Sequence, residues 1–340
     1  MAESLRIHGG PDAFGVPEHD FSTNSNACGP CHVALAAVRA ADASRYPDPA
    51  YRDLRESLAA FHGIESERIL LAGSASEFIF RISALVAQFG CQSKHRPVTC
   101  ALPEHAYGDY GQAALAWGLE RVDRPDEADL LWACEPSSPL GQPHEGLGQQ
   151  VDALRQDQLL VLDRAYAPLR LQGQSSLDAA GLDRVWQLWT PNKALGLTGV
   201  RAAYAIAPLQ AGDLAARLQA LAPSWPVGAH GVAMLQAWTT AAAQDWLQAS
   251  LATLRDWKQR QLDLCQSLGW QVLPSDANYF VARPCSADLV HDLALLRQQG
   301  IKLRDASSFG LPGWARLGVL APAAQDALAL AWKAIGNRNR

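Results

Sequence analysis

Residues 186–204 read WQLWTPNKALGLTGVRAAY, and this stretch decides the fold. A short apolar run leads into a turn that contains Lys193, and a second apolar run follows Arg201. Apolar runs of this length between turn residues are typical of buried β-strands. A lysine in the wall of an apolar domain loses hydration, which lowers its pKa and leaves a neutral amine that can attack an aldehyde. Taken alone, Lys193 is more commonly a strand-end lysine whose ammonium reaches solvent.

Similar apolar runs recur on both sides of this stretch. They alternate with helical segments and lie at residues 69–72, 99–102, 130–134, 159–162, 185–189 and 202–206. The alternation predicts an α/β fold in which a mainly parallel sheet is covered by helices on both faces, as three αβα layers. Residues 229–267 have apolar positions at helical spacing and no proline, which predicts one or two long helices.

The two ends of the chain differ from this central part. From residue 270 onward the segments WQVLPSDANYFVARP, IKLRDAS and WARLGVL are strand candidates, which predicts a smaller α+β domain. Residues 1–45 are rich in Gly, Pro, Asn and Ser and predict an arm that lies over other structure. We therefore expect an arm at 1–45, a large domain at 46–240 and a small C-terminal domain at 241–340.

Composition limits the function. The chain has 340 residues, is 49% hydrophobic and carries a net charge of −5, with acidic and basic residues mixed along it. It therefore lacks the basic stripe of a nucleic-acid or membrane binder, and a small-molecule substrate is expected. No secretory pattern opens the sequence and no apolar window is long enough to span a membrane. The seven cysteines are scattered and odd in number, which predicts a reduced, cytoplasmic protein.

Lys193 belongs to a longer pattern. Thr190 precedes it by three positions, and Arg201 follows it by eight, directly before a strand candidate. This pattern resembles the cofactor-lysine segment of the fold type I pyridoxal-phosphate enzymes, which include the class I and II aminotransferases. The resemblance implies that Lys193 holds pyridoxal 5′-phosphate covalently and that Thr190 and Arg201 bind its phosphate. A guanidinium suits a phosphate because it offers paired donors and keeps its proton.

A second element of the same family stands thirty residues upstream. Asp163 ends the apolar run LLVLD, and Tyr166 follows three positions later. The pair resembles the family's Asp-x-x-Tyr, which implies catalytic roles for Asp163 at the pyridine nitrogen and for Tyr166 at the phenolic oxygen of the cofactor. A carboxylate at that nitrogen keeps it protonated and the ring electron-withdrawing. On its own, Asp163 could equally be a turn residue after a strand.

Further cofactor contacts are implied by the same resemblance. Small residues open a predicted helix after the strand at 69–72, where N–H groups and the helix dipole favour an anion. Tyr107 takes the place of the ring that stacks on the cofactor. Tyr46 corresponds to the tyrosine that reaches the partner's cofactor phosphate, which implies a homodimer. Ser138 stands where relatives have an asparagine, and serine is shorter with one hydroxyl in place of an amide. The small residues at the start of the predicted helix, which the resemblance implies to be the phosphate-binding turn, are Ser74, Ala75 and Ser76.

The arm suggests a branch of the family. RIHGG and DFSTNSNACGP resemble signatures of the threonine-phosphate decarboxylases of cobalamin biosynthesis, which are close relatives of histidinol-phosphate aminotransferases. Two departures are Pro11 and Ala27, which replace the usual Asn and Pro. Cys28 and Cys31 form a C-x-x-C without a second such motif, so no metal site is predicted. The resemblance implies that the substrate is bound in this arm by His8, Gly9, Gly10, Asn24 and Asn26.

Two arginines near the end of the chain complete the expected substrate pocket. Arg316 lies in the last strand candidate and corresponds to the family's substrate-carboxylate arginine. Arg304 is a second candidate, and a solvated or ion-paired arginine is equally compatible with its position. A phosphorylated amino acid is expected to need more than one arginine.

The reaction that we expect from the sequence is decarboxylation of threonine phosphate. Transamination of the histidinol-phosphate type is the alternative, because the reaction depends on which Cα bond stands perpendicular to the cofactor ring. A protein that binds the cofactor without catalysis, as a regulator, is an alternative of another class. The intact set of Lys193, Asp163, Tyr166 and Arg201 argues against that last reading.

Overall fold

A computed structural model describes residues 8–93 and 96–338 of the chain. The first seven residues of the expected arm lie outside the described residues. The strands, in chain order, are β1 His19–Asp20, β2 Ile69–Ala72, β3 Thr99–Ala101, β4 Glu120–Arg121, β5 Leu130–Cys134, β6 Leu159–Asp163, β7 Trp186–Trp189, β8 Ala203–Ile206, β9 Gln271–Val272, β10 Tyr279–Arg283, β11 Ile301–Lys302, β12 Arg304–Asp305 and β13 Ala315–Gly318. The helices are α1 His32–Ala40, α2 Arg52–His62, α3 Ala75–Ser93, α4 Gly108–Ala116, α5 Leu147–Asp152, α6 Ala179–Leu182, α7 Gly212–Ala220, α8 Ala229–Trp238, α9 Ala241–Ser267, α10 Leu289–Gln298 and α11 Pro322–Arg338.

The main sheet has the order β2-β8-β7-β6-β5-β3-β4 in the described part of the chain. Strand β8 runs antiparallel to both of its neighbours, and the other pairs in this sheet are parallel. All six apolar runs of the central region are strands of this sheet, which confirms the α/β prediction. The two-residue strand β4 was not predicted, because a pair of residues carries no periodicity.

Helices cover both faces of this sheet because successive side chains of each strand point in opposite directions. Val161 of β6 contributes to an apolar cluster with residues of α3, α4 and α7, whereas Leu160 and Leu162 face a second cluster with α5. Both faces are therefore buried, which explains the continuous apolar runs of these strands. Among the described residues, no helix is both long enough and apolar enough to cross a membrane.

The C-terminal part forms a smaller α+β unit. Its antiparallel sheet has the order β12-β13-β10-β9, and the unit also contains the helices α10 and α11. The predicted helical region 229–267 is two helices, α8 and α9, and the second of them leads into this unit. Strand β1 pairs in parallel with β11, so the N-terminal segment is fastened to the C-terminal unit. We propose that the arm ends near residue 45 and that the two domains meet near residue 241, where α9 begins.

Candidate active site

The predicted cofactor residues collect at one edge of the main sheet. The register places Ala72 opposite Ala203, Asp163 opposite Leu188, and Cys134 opposite Asp163. Because the parallel strands end at the same edge, and the antiparallel β8 begins there, the segments after β2, β5, β6 and β7 lie side by side with the segment before β8. These segments carry Ser74, Ala75, Ser76, Ser138, Asp163, Tyr166, Thr190, Lys193 and Arg201.

Lys193 lies beside Tyr166 at this edge. Its Nζ atom is 4.9 Å from the centroid of the Tyr166 ring, a distance that allows a cation–π contact. Tyr166 packs edge to face on Tyr279 with 4.7 Å between ring centroids. Burial raises the pKa of the Cys134 thiol, the charge of Asp163 adds to this rise, and Lys193 opposes it. Asp163 and Lys193 are therefore both close to the buried Cys134 at the end of β5.

The N-terminal segment supports the turn that contains Lys193. The amide N–H of Asn26 donates to the carbonyl of Lys193 at 2.9 Å, and the Asn26 side chain donates to Ala194 O and to Ser250 Oγ. Gly196 has a φ of 66°, and a Cβ atom there would lie 2.6 Å from the carbonyl oxygen of Gly29. A side chain at Gly196 would push this segment away. The Asn26 amide, predicted to bind substrate, is used here to hold the lysine turn.

Asp163 is held by a residue that the sequence reasoning missed. Its Oδ1 atom accepts from the N–H of Ala165 at 2.8 Å, and its Oδ2 atom accepts from the hydroxyl of Tyr110 at 2.7 Å. The Tyr110 ring stacks on Trp132 at 4.4 Å, which fixes its position. Burial and the nearby Asp163 carboxylate raise the pKa of Tyr110 well above its usual value, so its hydroxyl keeps the proton that it donates. Tyr110 therefore stabilises the buried carboxylate as an anion.

We expect Tyr110→Phe to weaken binding of pyridoxal phosphate by about tenfold or more, since a hydrogen bond to a charged group contributes about 1.5 to 3 kcal/mol. Without this donor, the buried Asp163 anion loses a partner and its interaction with a protonated pyridine nitrogen weakens. Titration of the cofactor-depleted protein with pyridoxal phosphate measures the effect. Tyr51→Phe is the matched control, because the buried Tyr51 hydroxyl donates to Val227 O at 2.7 Å instead. Equal cofactor affinity in both variants would contradict the role of Tyr110.

The turn between β2 and α3, which the sequence predicts to bind the cofactor phosphate, is suited to an anion. The N–H of Glu77 donates to Ser74 Oγ at 3.1 Å, which caps the first turn of α3. Ser76 Oγ lies 3.3 Å from the Tyr107 hydroxyl, so the predicted phosphate turn and the predicted stacking ring are neighbours. Thr190 is buried and its hydroxyl donates to Asn192 Oδ1 at 2.7 Å, whereas Arg201 is exposed. The dipole of α3, the serine and threonine hydroxyls and the Arg201 guanidinium can thus bind a phosphate together.

These residues fit pyridoxal phosphate by the chemistry of their donors. A buried carboxylate supported by two hydrogen bonds suits a protonated pyridine nitrogen, and the start of α3 with Arg201 suits a phosphate. Lys193 offers a primary amine for the aldehyde carbon. We propose that Asp163, Tyr166, Lys193 and the phosphate turn hold the cofactor in this way.

Two buried arginines lie opposite one another on the small sheet. Arg304 of β12 is paired with Arg316 of β13, and both guanidinium groups lie over the ring of Phe309, at 4.8 and 5.5 Å from its centroid. Burial lowers the pKa of Arg304 to about 10, and the charge of Arg316 adds to the decrease. Two like charges at buried positions repel each other, which favours an anion between or beside them.

The altered loop after β5 connects to this pair. Arg316 Nη1 donates to Ser138 Oγ at 3.2 Å, so the serine at the predicted asparagine position contacts the arginine that is predicted to bind substrate. Arg316 Nη2 donates to Ser22 O at 3.0 Å, and its Nε atom is buried without a hydrogen-bond partner among the described residues. Glu135, in the same loop, accepts from Arg170 Nη2 at 2.7 Å and is therefore part of a buried ion pair.

Of the other arm residues, His8 lies beside the predicted stacking ring and Asn24 is buried. The His8 ring is 6.4 Å from the Tyr107 ring, measured between centroids. Asn24 is buried, and neither its amide nitrogen nor its amide oxygen has a hydrogen-bond partner in the part of the chain that the structure describes. A buried amide without partners is costly and is typical of a group that binds a ligand or water. Tyr46, by contrast, is 77% exposed and stacks on Trp225.

Comparison with known proteins identifies the family of this chain. Residues 112–335 match the family described as aminotransferase class I and II. A histidinol-phosphate aminotransferase of Jannaschia sp. is 29% identical over 328 residues, which cover 89% of this chain and 87% of the relative. A histidinol-phosphate aminotransferase of Bradyrhizobium diazoefficiens is 30% identical, with 84% and 83% covered.

Solved structures show the same fold. The crystal structure of histidinol-phosphate aminotransferase from Sinorhizobium meliloti in complex with pyridoxal-5′-phosphate has a TM-score of 0.78 at 22% identity, and covers 92% of this chain and 90% of that one. L-threonine-O-3-phosphate decarboxylase from Porphyromonas gingivalis has a TM-score of 0.76 at 20% identity, with 93% and 99% covered. With the family match over most of its length and the predicted cofactor residues gathered at one sheet edge, the chain belongs to the class I and II aminotransferase family of pyridoxal-phosphate enzymes.

Proposed function

We propose that the enzyme transfers the amino group of a phosphate-bearing amine, with a substrate of the histidinol-phosphate type. The observation that carries this proposal is the buried pair of Arg304 and Arg316 beside the loop that holds Ser138. Two guanidinium groups can bind the phosphate of an amine substrate or the carboxylates of a keto acid. The names of the relatives favour the same reaction.

The chain's own residues supply binding and proton transfer. Pyridoxal phosphate, when bound, supplies an aldehyde for the substrate amine and an electron-withdrawing ring. We propose that the Lys193 amine takes a proton from the substrate carbon and returns it, since transamination moves one proton between two carbons. The Tyr166 ring, 4.9 Å from the Lys193 Nζ atom, orients that amine. The Asp163 carboxylate is held in place by hydrogen bonds from the Tyr110 hydroxyl and the Ala165 N–H.

Decarboxylation of threonine phosphate is the second candidate. The sequence favours it through the segments around His8 and Asn24, and the structure places His8 near Tyr107 and leaves the buried Asn24 amide without a partner among the described residues. The structural similarity to a threonine-phosphate decarboxylase supports the fold alone. Transamination has the stronger support, because the curated relatives cited above are aminotransferases.

A direct assay separates the two reactions. The purified enzyme, loaded with pyridoxal phosphate, is incubated with histidinol phosphate and a keto acid, and in parallel with threonine phosphate alone. We expect amino transfer from histidinol phosphate, with a catalytic efficiency at least about a hundredfold above that for histidinol, because two charge-assisted bonds are lost without the phosphate. Release of carbon dioxide from threonine phosphate without amino transfer would assign the enzyme to the decarboxylase branch. Equal efficiency for histidinol and histidinol phosphate would contradict the anion pocket.

We also propose that the enzyme is a homodimer in which Tyr46 contacts the partner's cofactor phosphate. Tyr46 and Trp225 are both exposed, and their rings stack with 4.3 Å between centroids. Two large exposed rings side by side are typical of an interaction surface. Sedimentation equilibrium at the assay concentration measures the assembly, and an active monomer would contradict this proposal.

A further inference from the structure

A cluster of charged side chains fastens the N-terminal segment to the C-terminal unit. Asp12 accepts from Arg297 twice, with Nε at 2.9 Å from Oδ2 and Nη2 at 2.8 Å from Oδ1, and Lys302 Nζ lies 3.0 Å from Oδ2. The two basic residues also bind the main chain: Arg297 donates to Gly15 O at 2.8 Å and Lys302 to Gly10 O at 2.6 Å. We name these three side chains the Asp12 cluster.

The geometry of this cluster distinguishes it from an ordinary surface ion pair, which contributes little to stability. A bidentate guanidinium contact and a second cation fix both carboxylate oxygens of Asp12 in place. The Arg297 and Lys302 side chains are only 12% and 15% exposed. Hydrogen bonds from these two residues hold the pKa of Asp12 well below its usual range, so Asp12 is charged at neutral pH.

The chain held by this cluster leads directly into the substrate pocket. The N–H of Gly10 donates to Ser22 Oγ at 2.9 Å, and the carbonyl of the same Ser22 accepts from Arg316. Gly9 lies so close to this residue that a Cβ atom there would be 2.2 Å from Ser22 O. The main chain can take this path because position 9 has no side chain.

The pocket end of the segment lies over the predicted cofactor face. The His8 ring is tilted against the Tyr107 ring with 6.4 Å between centroids. Asp12, four residues further along the chain, makes side-chain contacts with the C-terminal unit on α10 and β11. Because the connection is short, loss of the Asp12 contacts would loosen the His8–Gly10 turn, whose remaining bonds are those of Gly10 with Lys302 and Ser22.

We propose that Asp12 is a positioning residue for substrate binding, and that with Arg297 and Lys302 it holds the His8–Gly10 turn against Ser22 as a preformed wall of the pocket. The substrate part of this inference rests on the proposed function. A wall that is already ordered spares the substrate the entropy of ordering it, so loss of Asp12 weakens binding more than it slows the chemical step.

The kinetic test uses the loaded enzyme and whichever phosphorylated substrate it turns over. We expect Asp12→Asn to raise KM by about tenfold while kcat changes by less than about twofold, and Asp12→Glu to restore most of the loss because it keeps the charge. Asp326→Asn is the matched control: Asp326 is also an exposed aspartate paired with an arginine, Arg260, and it lies on α11, which carries none of the predicted site residues. A tenfold fall in kcat at constant KM, or an equal effect in both variants, would overturn the proposal.

The structural test needs no turnover. Amide hydrogen exchange of peptides that cover residues 8–22 is measured in the loaded enzyme without substrate. We expect faster exchange in Asp12→Asn than in wild type and Asp326→Asn, with peptides of β6 and β7 unchanged. Unchanged exchange in residues 8–22 would overturn the inference even if the enzyme proves to act on another substrate. Faster exchange with an unaltered KM would show that the turn does not contribute to binding, and would equally overturn it.

Discussion

Lys193→Ala is expected to reduce turnover by at least about a thousandfold, because both covalent attachment of the cofactor and proton transfer use this amine. The fold should persist. The main-chain carbonyl of Lys193 accepts from Asn26, and that bond does not need the side chain. The side chain contacts the Tyr166 ring, so its removal leaves a small space at a half-buried position. The yellow absorption of the bound cofactor should be lost or shifted, while the melting temperature stays within a few degrees.

The control for this experiment is Lys333→Ala, an exposed lysine of α11. It should leave absorption, turnover and melting unchanged. Borohydride reduction of the wild-type enzyme followed by peptide mapping identifies the lysine that carries the cofactor. Label on a lysine other than Lys193, or an unchanged cofactor spectrum in Lys193→Ala, would contradict the assignment.

The sequence predicted the parts of the site that depend on short spacings. Thr190, Lys193 and Arg201 lie within one strand-turn-strand unit, and Asp163 and Tyr166 within another, so their patterns are visible in a linear sequence. The ends of the strands could also be predicted from the sequence, because buried parallel strands appear as uninterrupted apolar runs. The structure then places these separate patterns at one edge of the sheet.

Contacts between distant segments could not be predicted from short sequence spacings. Tyr110 donates to Asp163 across 53 positions of sequence, and the Asp12 cluster joins residues 285 or more apart. Such pairings depend on which strands become neighbours, and polar residue types alone do not specify a partner. One signal was present: tyrosines 107 and 110, three positions apart at the start of a helix, share a helix face. If Tyr107 faces the cofactor, Tyr110 is expected near the same edge.

Arg316→Ala is expected to raise KM for the phosphorylated substrate by about a hundredfold, since two charge-assisted hydrogen bonds contribute about 1.5 to 3 kcal/mol each and some binding survives through Arg304. The absorption of the bound cofactor should remain, because Arg316 lies on β13 of the small sheet, whereas Asp163 ends β6 of the main sheet and Lys193 lies in the turn after β7. Steady-state kinetics with phosphorylated and unphosphorylated substrates measure the effect, which should be confined to the phosphorylated one.

Two further variants test whether the guanidinium itself is needed. Arg316→Lys keeps the charge but loses the planar fork that reaches both Ser138 Oγ and Ser22 O, so we expect it to recover only a small part of the affinity. Arg283→Ala, an exposed arginine of the neighbouring strand β10, should leave KM unchanged and exclude a general effect of net charge. Full recovery in Arg316→Lys would mean that charge alone binds the anion. An unaltered KM in Arg316→Ala would place the phosphate elsewhere, since a buried cation that contacts the ligand cannot be removed without loss of binding.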